Sequence, residues 1–274
     1  MKWNHISAVA GADLKRLFKS KDYWIPLVLM ASLFFVIIPF FSLSVITSLE
    51  QSQFVDQVTQ IVGQLPESVS ESVSGDTPTA RASYVVAVFL LAPIAIIVPL
   101  TISAAVGSNA IVGERERGTG EYLAHSPLTT TEIYVGKLIS SLVPGYLATI
   151  VGFSIYSLVV NLTVGPALGG WFFPTAGWLM LILWVIPPFI AVALALILRL
   201  SARVRSAAAA QQASSLVTLP VIILSYGVSA SVIANPGMSG FWIGVIAWVV
   251  AGILVVRSAK KLQRERLLGV ATEA

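Results

Sequence analysis

Six stretches of this chain stay apolar for about the 20 residues that a helix needs to cross a bilayer. They cover residues 23–48, 83–111, 138–160, 176–198, 207–233 and 241–256, and none contains Asp, Glu, Lys or Arg. Apolar positions occupy every side of these segments, which suits helices covered by lipid and by one another. The fifth opens weakly, since Ala207–Ala210 lead into Gln211, Gln212, Ser214 and Ser215 before the strongly apolar part begins.

Two other segments alternate at helical spacing instead. Ahead of the first span, Ile6, Val9, Ala10, Leu14, Leu17 and Phe18 form one stripe, with Lys15, Arg16, Lys19 and Lys21 near or opposite it. This pattern predicts a basic interfacial helix over residues 1–22. It serves as a membrane anchor alone or also as an elbow that touches a cytoplasmic partner. In the loop 49–82, Phe54, Val58, Ile61, Leu65 and Val69 recur at the same spacing, with Val55 and Val62 beside them. They predict an amphipathic helix lying on the outer leaflet, broken or bent near Pro66, with a loosely ordered acidic loop as the alternative.

Composition agrees with a membrane protein. Hydrophobic residues make up 56% of the 274 and charged residues 11%, with a mean hydropathy of +0.86, whereas soluble domains carry about 25% charged residues. The first 22 residues are too long and mixed for a signal-peptide head, and the run after them is too long for its apolar part, so that run is expected to remain as an anchor. Cysteine is absent, and the two histidines, His5 and His125, are far apart. A disulfide framework, a thiol nucleophile and a metal site are therefore not expected.

Charge sets the orientation. With six spans, all of the 17 basic residues except Arg81 fall on one side: before span one, in the loops after spans two and four (Arg199, Arg203 and Arg205 in the latter), and in the tail 257–274. The positive-inside rule then places both termini in the cytoplasm. Five or seven spans would destroy this segregation. The expected fold is an all-α membrane protein, a single domain over 1–274.

The loop after span two is the richest in polar signals. Alternating charges at Glu114, Arg115, Glu116 and Arg117 continue directly from the apolar run, and Ser126 and Pro127 then break the chain. Thr129 and Glu132 have capping-box spacing, so the next helix is expected to start there. The loop reads as a short helix, a turn and a restarted helix.

The run Glu114, Arg115, Glu116, Arg117, Gly118, Thr119, followed by Glu121, Tyr122, Leu123, by Ser126 and Pro127, and by Gly136, Lys137 and Leu138, resembles the corresponding loop of ABC-2-type permeases. These are membrane subunits of ATP-binding-cassette exporters, with a type V exporter-like fold. The likeness extends over the whole chain, through the basic first helix, the six spans and Gln211 and Gln212 at the start of span five. It implies that Glu114–Leu123 is a coupling helix seated in a separate ATP-binding subunit. Glu114 and Glu116 would be its acidic contacts, Arg115 and Arg117 would reach carboxylates on the partner, and Gly118 and Thr119 would shape the bend, with Glu121 beyond them. It also implies a second permease chain, identical or related, a multi-pass position in a prokaryotic cytoplasmic membrane, and ATP and Mg held by the partner. Nucleic acid is not expected as a partner. The chain departs from many relatives in its short first outer loop.

Missing chemistry points the same way. The chain has no G-x-x-x-x-G-K-[ST] phosphate loop. Its spans also lack the ionisable residues that gradient-coupled carriers use as relays. No catalytic constellation is present, so an enzyme is not expected. A scaffold that uses ATP without moving a solute remains the alternative, with a carrier or channel behind it. Uncharged polar groups at Asn109, Gln211, Ser215, Thr218, Ser225 and Ser229 either line a substrate path or dimer interface, or simply let helices pack closely. An uncharged lumen leans toward lipid-like or amphipathic substrates.

Overall fold

The computed structural model describes residues 2–48, 53–64, 72–119, 123, 125–204 and 206–261, and contains no strand among them. Six of its helices are long and apolar enough to span a bilayer: Tyr23–Ser48, Pro78–Glu114, Thr130–Thr163, Ala176–Ser201, Ala207–Ala234 and Pro236–Lys260. These are the six expected spans, one to six in order. The segment expected as the interfacial helix is helical over Trp3–Lys19.

Burial separates the centre of the bundle from its edge. In their most apolar stretches, 67% of residues in span two and 61% in span four are buried, against 22% in each of spans one, five and six. Span two packs against spans three, four and five, and span four also carries span six. Spans one, five and six therefore present most of their surface outward, through residues such as Leu29, Phe41, Leu216, Ile223 and Trp242.

Span two starts earlier than hydropathy predicts. Thr77 accepts the N–H of Ala80 at 3.1 Å and Pro78 occupies the first turn, where its missing N–H costs nothing. Arg81 kept this turn out of the apolar window, although it is helical. The span is also interrupted: a π-helical turn at Val86–Leu90 leads into a bend at residues 91–93, and the α-helix resumes at Ile94. Pro93 cannot donate to the turn before it. Side chains from other spans occupy the carbonyls there, Tyr156 Oη donating to Ala87 O at 2.5 Å and Trp178 Nε1 to Val88 O at 2.9 Å. The two rings stack with centroids 5.1 Å apart.

The loop between spans three and four folds back over this aromatic group. Asn161 Oδ1 accepts the N–H groups of Phe172 and Phe173 at 3.0 and 3.1 Å, and its Nδ2 donates to Phe173 O at 2.7 Å. Between spans one and two, the amphipathic helix is described over Gln53–Gln64. Of the predicted stripe, Val58 turns into the core with Val55 beside it, while Phe54 and Ile61 stay exposed. Leu65, Pro66 and Val69, with the predicted bend, lie outside the described residues.

Candidate functional site

The basic end of the bundle gathers the interfacial helix and the loops after spans two and four. Span two's helix continues past its apolar part to Glu116. Gly118 then takes φ +68°, a conformation that side-chain-bearing residues avoid. The N–H of Thr119 donates to Glu114 O at 2.9 Å, which closes the helix end as a Schellman turn. Glu114–Glu116 are thus the last turn of span two. Gly120, Glu121, Tyr122 and Ala124 lie outside the described residues, as does the side chain of Arg115, so the expected position Glu121 and the body of the expected coupling helix fall there.

The following helix starts where the capping box predicts. Thr129 Oγ1 accepts the N–H of Glu132 at 3.3 Å, and Glu132 Oε2 accepts the N–H of Thr129 at 3.0 Å. The buried carboxylate of Glu132 does more than cap. It accepts the backbone N–H of Lys2 at 2.6 Å and lies 3.1 Å from His5 Nδ1. The start of span three therefore holds the start of the interfacial helix.

Contact continues along that helix. Ile6, Val9 and Ala10 are buried, and a Cβ on Gly136 would come within 2.8 Å of Val9. One turn further, Lys137 Nζ sits 3.0 Å from Asp13 Oδ2 and 3.2 Å from Glu114 Oε1. Arg16 Nη1 reaches the same Glu114 oxygen at 2.8 Å, Arg117 Nη2 approaches it at 3.5 Å, and Thr119 Oγ1 donates to the other oxygen. Ser140 Oγ donates to Asp13 Oδ2 at 3.3 Å.

Glu114 thus faces into the protein, with only 6% of its side chain exposed, whereas Arg16 and Arg117 are each half exposed. Buried ion pairs add little net stability, but removing one partner leaves an uncompensated charge that costs about 3–5 kcal/mol. The cluster consequently fixes how three elements meet: the interfacial helix, the end of span two and the start of span three.

Glu116 behaves differently. Its exposed carboxylate accepts the N–H of Ala207, the first residue of span five's helix, at 2.8 Å. Ser206 Oγ accepts the N–H of Ala209 at 3.2 Å, so two side chains satisfy the first turn of span five. A carboxylate there also complements the positive end of the helix dipole. The two glutamates of one short run are therefore divided, Glu114 toward span three and Glu116 toward span five.

The uncharged polar positions split as well. Ser201 Oγ donates to Ser108 O at 2.6 Å and Ser108 Oγ to Gln211 Oε1 at 2.7 Å, joining spans four, two and five. Ser225 and Ser229 are buried, and Ser215 and Thr218 are not, yet all four hydroxyls bond carbonyls of their own helix. That is the bonding of hydroxyls that permit packing. Asn109 Nδ2 donates to Ala105 O at 3.1 Å and lines the polar cavity around Glu114.

Sequence reasoning missed Asp13, His5 and Lys137 as parts of this site. Asp13 carried a signal, because it follows Ala10 by three residues on the same stripe that the apolar residues define, where an unpaired acid would be costly.

Comparison with known proteins gives two results. The family profile described as ABC-2 family transporter protein matches residues 7–253. A search of curated proteins found no match.

Proposed function

Because the chain belongs to the ABC-2 family of transporter proteins, we propose that it is the permease subunit of an exporter driven by ATP hydrolysed on a separate chain. The observation that carries this reading is the division of Glu114 and Glu116 between two spans. In this reading both termini lie in the cytoplasm of a prokaryotic cell. The segment after Glu116 seats on the ATP-binding subunit, which holds ATP and Mg, and a second permease chain completes the pathway. Closure of the ATPases displaces the loop. Glu114 passes that displacement to the interfacial helix and span three, while Glu116 passes it to span five.

Glu114 then acts from inside, as a positioning residue, and Glu116 and Arg117 are the exposed charges nearest the partner. The outward surface of span five, with Ser215, Leu216 and Ile223, is offered to the second chain.

Affinity purification in mild detergent is the direct test. An intact chain should bring down a phosphate-loop ATPase in a one-to-one ratio, with ATP hydrolysis that rises when transported substrate is added. Complexes that hold intact chain and no such subunit would remove the reading and return the carrier or channel alternative. Hydrolysis in a complex that moves no solute across proteoliposomes would favour the scaffold alternative.

A further inference from the structure

A polar cavity of about 160 Å³ opens beside the ion cluster, lined by Asp13, Arg16, Tyr23, Asn109, Arg117 and Lys137 among others. An apolar groove of about 350 Å³ runs between spans one and three, past Trp24, Val28, Phe35, Ala148 and Val151. The two are stacked on the same three helices. Tyr23 in the cavity adjoins Trp24 in the groove, Val106 lies one turn from Ile102, and Ser140 lies one turn from Pro144. The groove extends along span one from Trp24 to Val36, a rise of about 18 Å at about 1.5 Å per residue. Half of a hydrocarbon core about 30 Å thick is about 15 Å, so the groove matches one leaflet in depth.

Charge distinguishes the two ends. Three cations (Arg16, Arg117 and Lys137) and two carboxylates (Asp13 and Glu114) surround the cavity, leaving one positive charge in excess. Arg16 and Arg117 are half exposed, so both can turn N–H groups toward a further anion while staying near Glu114. Lys15, Lys19 and Lys21 stand exposed on the adjoining turns. Basic groups at this level attract the anionic lipids of a leaflet.

We propose that this composite site binds one anionic glycerophospholipid from the leaflet at the basic end, its phosphate at Arg16 and Arg117 and one acyl chain in the groove between spans one and three. The lipid fills the seam between span one and the rest of the bundle, where the interfacial helix turns into the membrane. This proposal does not depend on a transport role, and its test needs no ATP.

Native mass spectrometry of the detergent-purified protein, with any subunit that accompanies it, reads the site directly. Incubated with phosphatidylglycerol or with phosphatidylcholine of identical acyl chains, the protein should retain the anionic lipid at least five-fold better. Replacing both arginines (R16Q with R117Q) should reduce retention to the phosphatidylcholine level. Filling the groove with Ala148→Phe should lower retention of both lipids, while Val249→Phe on the exposed face of span six should leave it unchanged. Equal retention of the two lipids by the unaltered protein overturns the proposal, whatever the variants do. So does displacement of phosphatidylglycerol by millimolar inorganic phosphate, which would assign the site to a free anion.

Discussion

Lys137 Nζ lies 3.2 Å from Glu114 Oε1 in a setting where neither side chain is more than 6% exposed. Lys137 also holds Asp13 at 3.0 Å, so its removal takes the cation from Asp13 and leaves Glu114 to Arg16 and Arg117. Lys137→Met is expected to destabilise the protein by about 3–5 kcal/mol, seen as a lower unfolding temperature in detergent. Adding Glu114→Gln should recover part of that loss. A double variant no more stable than Lys137→Met alone would mean the pair is not coupled.

The bond between Glu116 and span five can be cut without touching either charge. Ala207 is the first helical residue, and Ser206 before it has φ −133° and ψ 154°, the extended conformation that precedes proline. Ala207→Pro should therefore fold normally while losing the N–H that Glu116 accepts. Substrate-stimulated ATP hydrolysis of the purified complex should fall several-fold with the unfolding temperature within a few degrees. Unchanged stimulation would show that span five is not driven through Glu116.

The aromatic clasp on span two gives a stability prediction. Tyr156→Phe leaves the carbonyl of Ala87 without its donor in a buried setting, and Trp178→Phe does the same to Val88. Each is expected to cost about 1–3 kcal/mol by thermal unfolding, with no effect on lipid retention at the opposite end.

The absence of cysteine in the sequence makes single-cysteine labelling clean. Ala10→Cys should react slowly with maleimide, because Ala10 is buried between the interfacial helix and span three. Combined with Gly136→Val, whose side chain would run into Val9, labelling should accelerate at least ten-fold. For topology, Asp76→Cys should be labelled by an impermeant reagent on intact cells and His125→Cys only after lysis. The reverse result would invert the proposed orientation.

What was legible in the sequence followed from local chemistry. Six spans came from apolar length and the start of span three from the spacing of Thr129 and Glu132, whereas the helix end at Gly118 lies ahead of the break expected at Ser126 and Pro127. Where the span-two helix begins and breaks was less visible. Arg81 hid its first turn, and the bend before Ile94 depends on Tyr156 and Trp178, which lie far along the chain. The inward turn of Glu114 was not legible for the same reason. A run of alternating charges looks like a solvated surface until Lys137 and Arg16 are known to converge on one of its members. In span five, burial of Ser225 and Ser229 with exposure of Ser215 depends on how that helix leans on spans two and four.

The break in span two has a mechanical consequence. The helical hydrogen-bond ladder changes register through residues 91–93, where the N–H of Leu91 donates to Val86 O and that of Ala92 to Phe89 O. The carbonyls of Ala87 and Val88 are clasped by spans three and four. The first piece, Pro78–Leu90, is thereby tied to its neighbours. The second piece, Ile94–Glu116, packs on spans three, four and five and ends in the charged junction. Span two is thus two rods anchored separately, one by an aromatic clasp and the other by a charged junction.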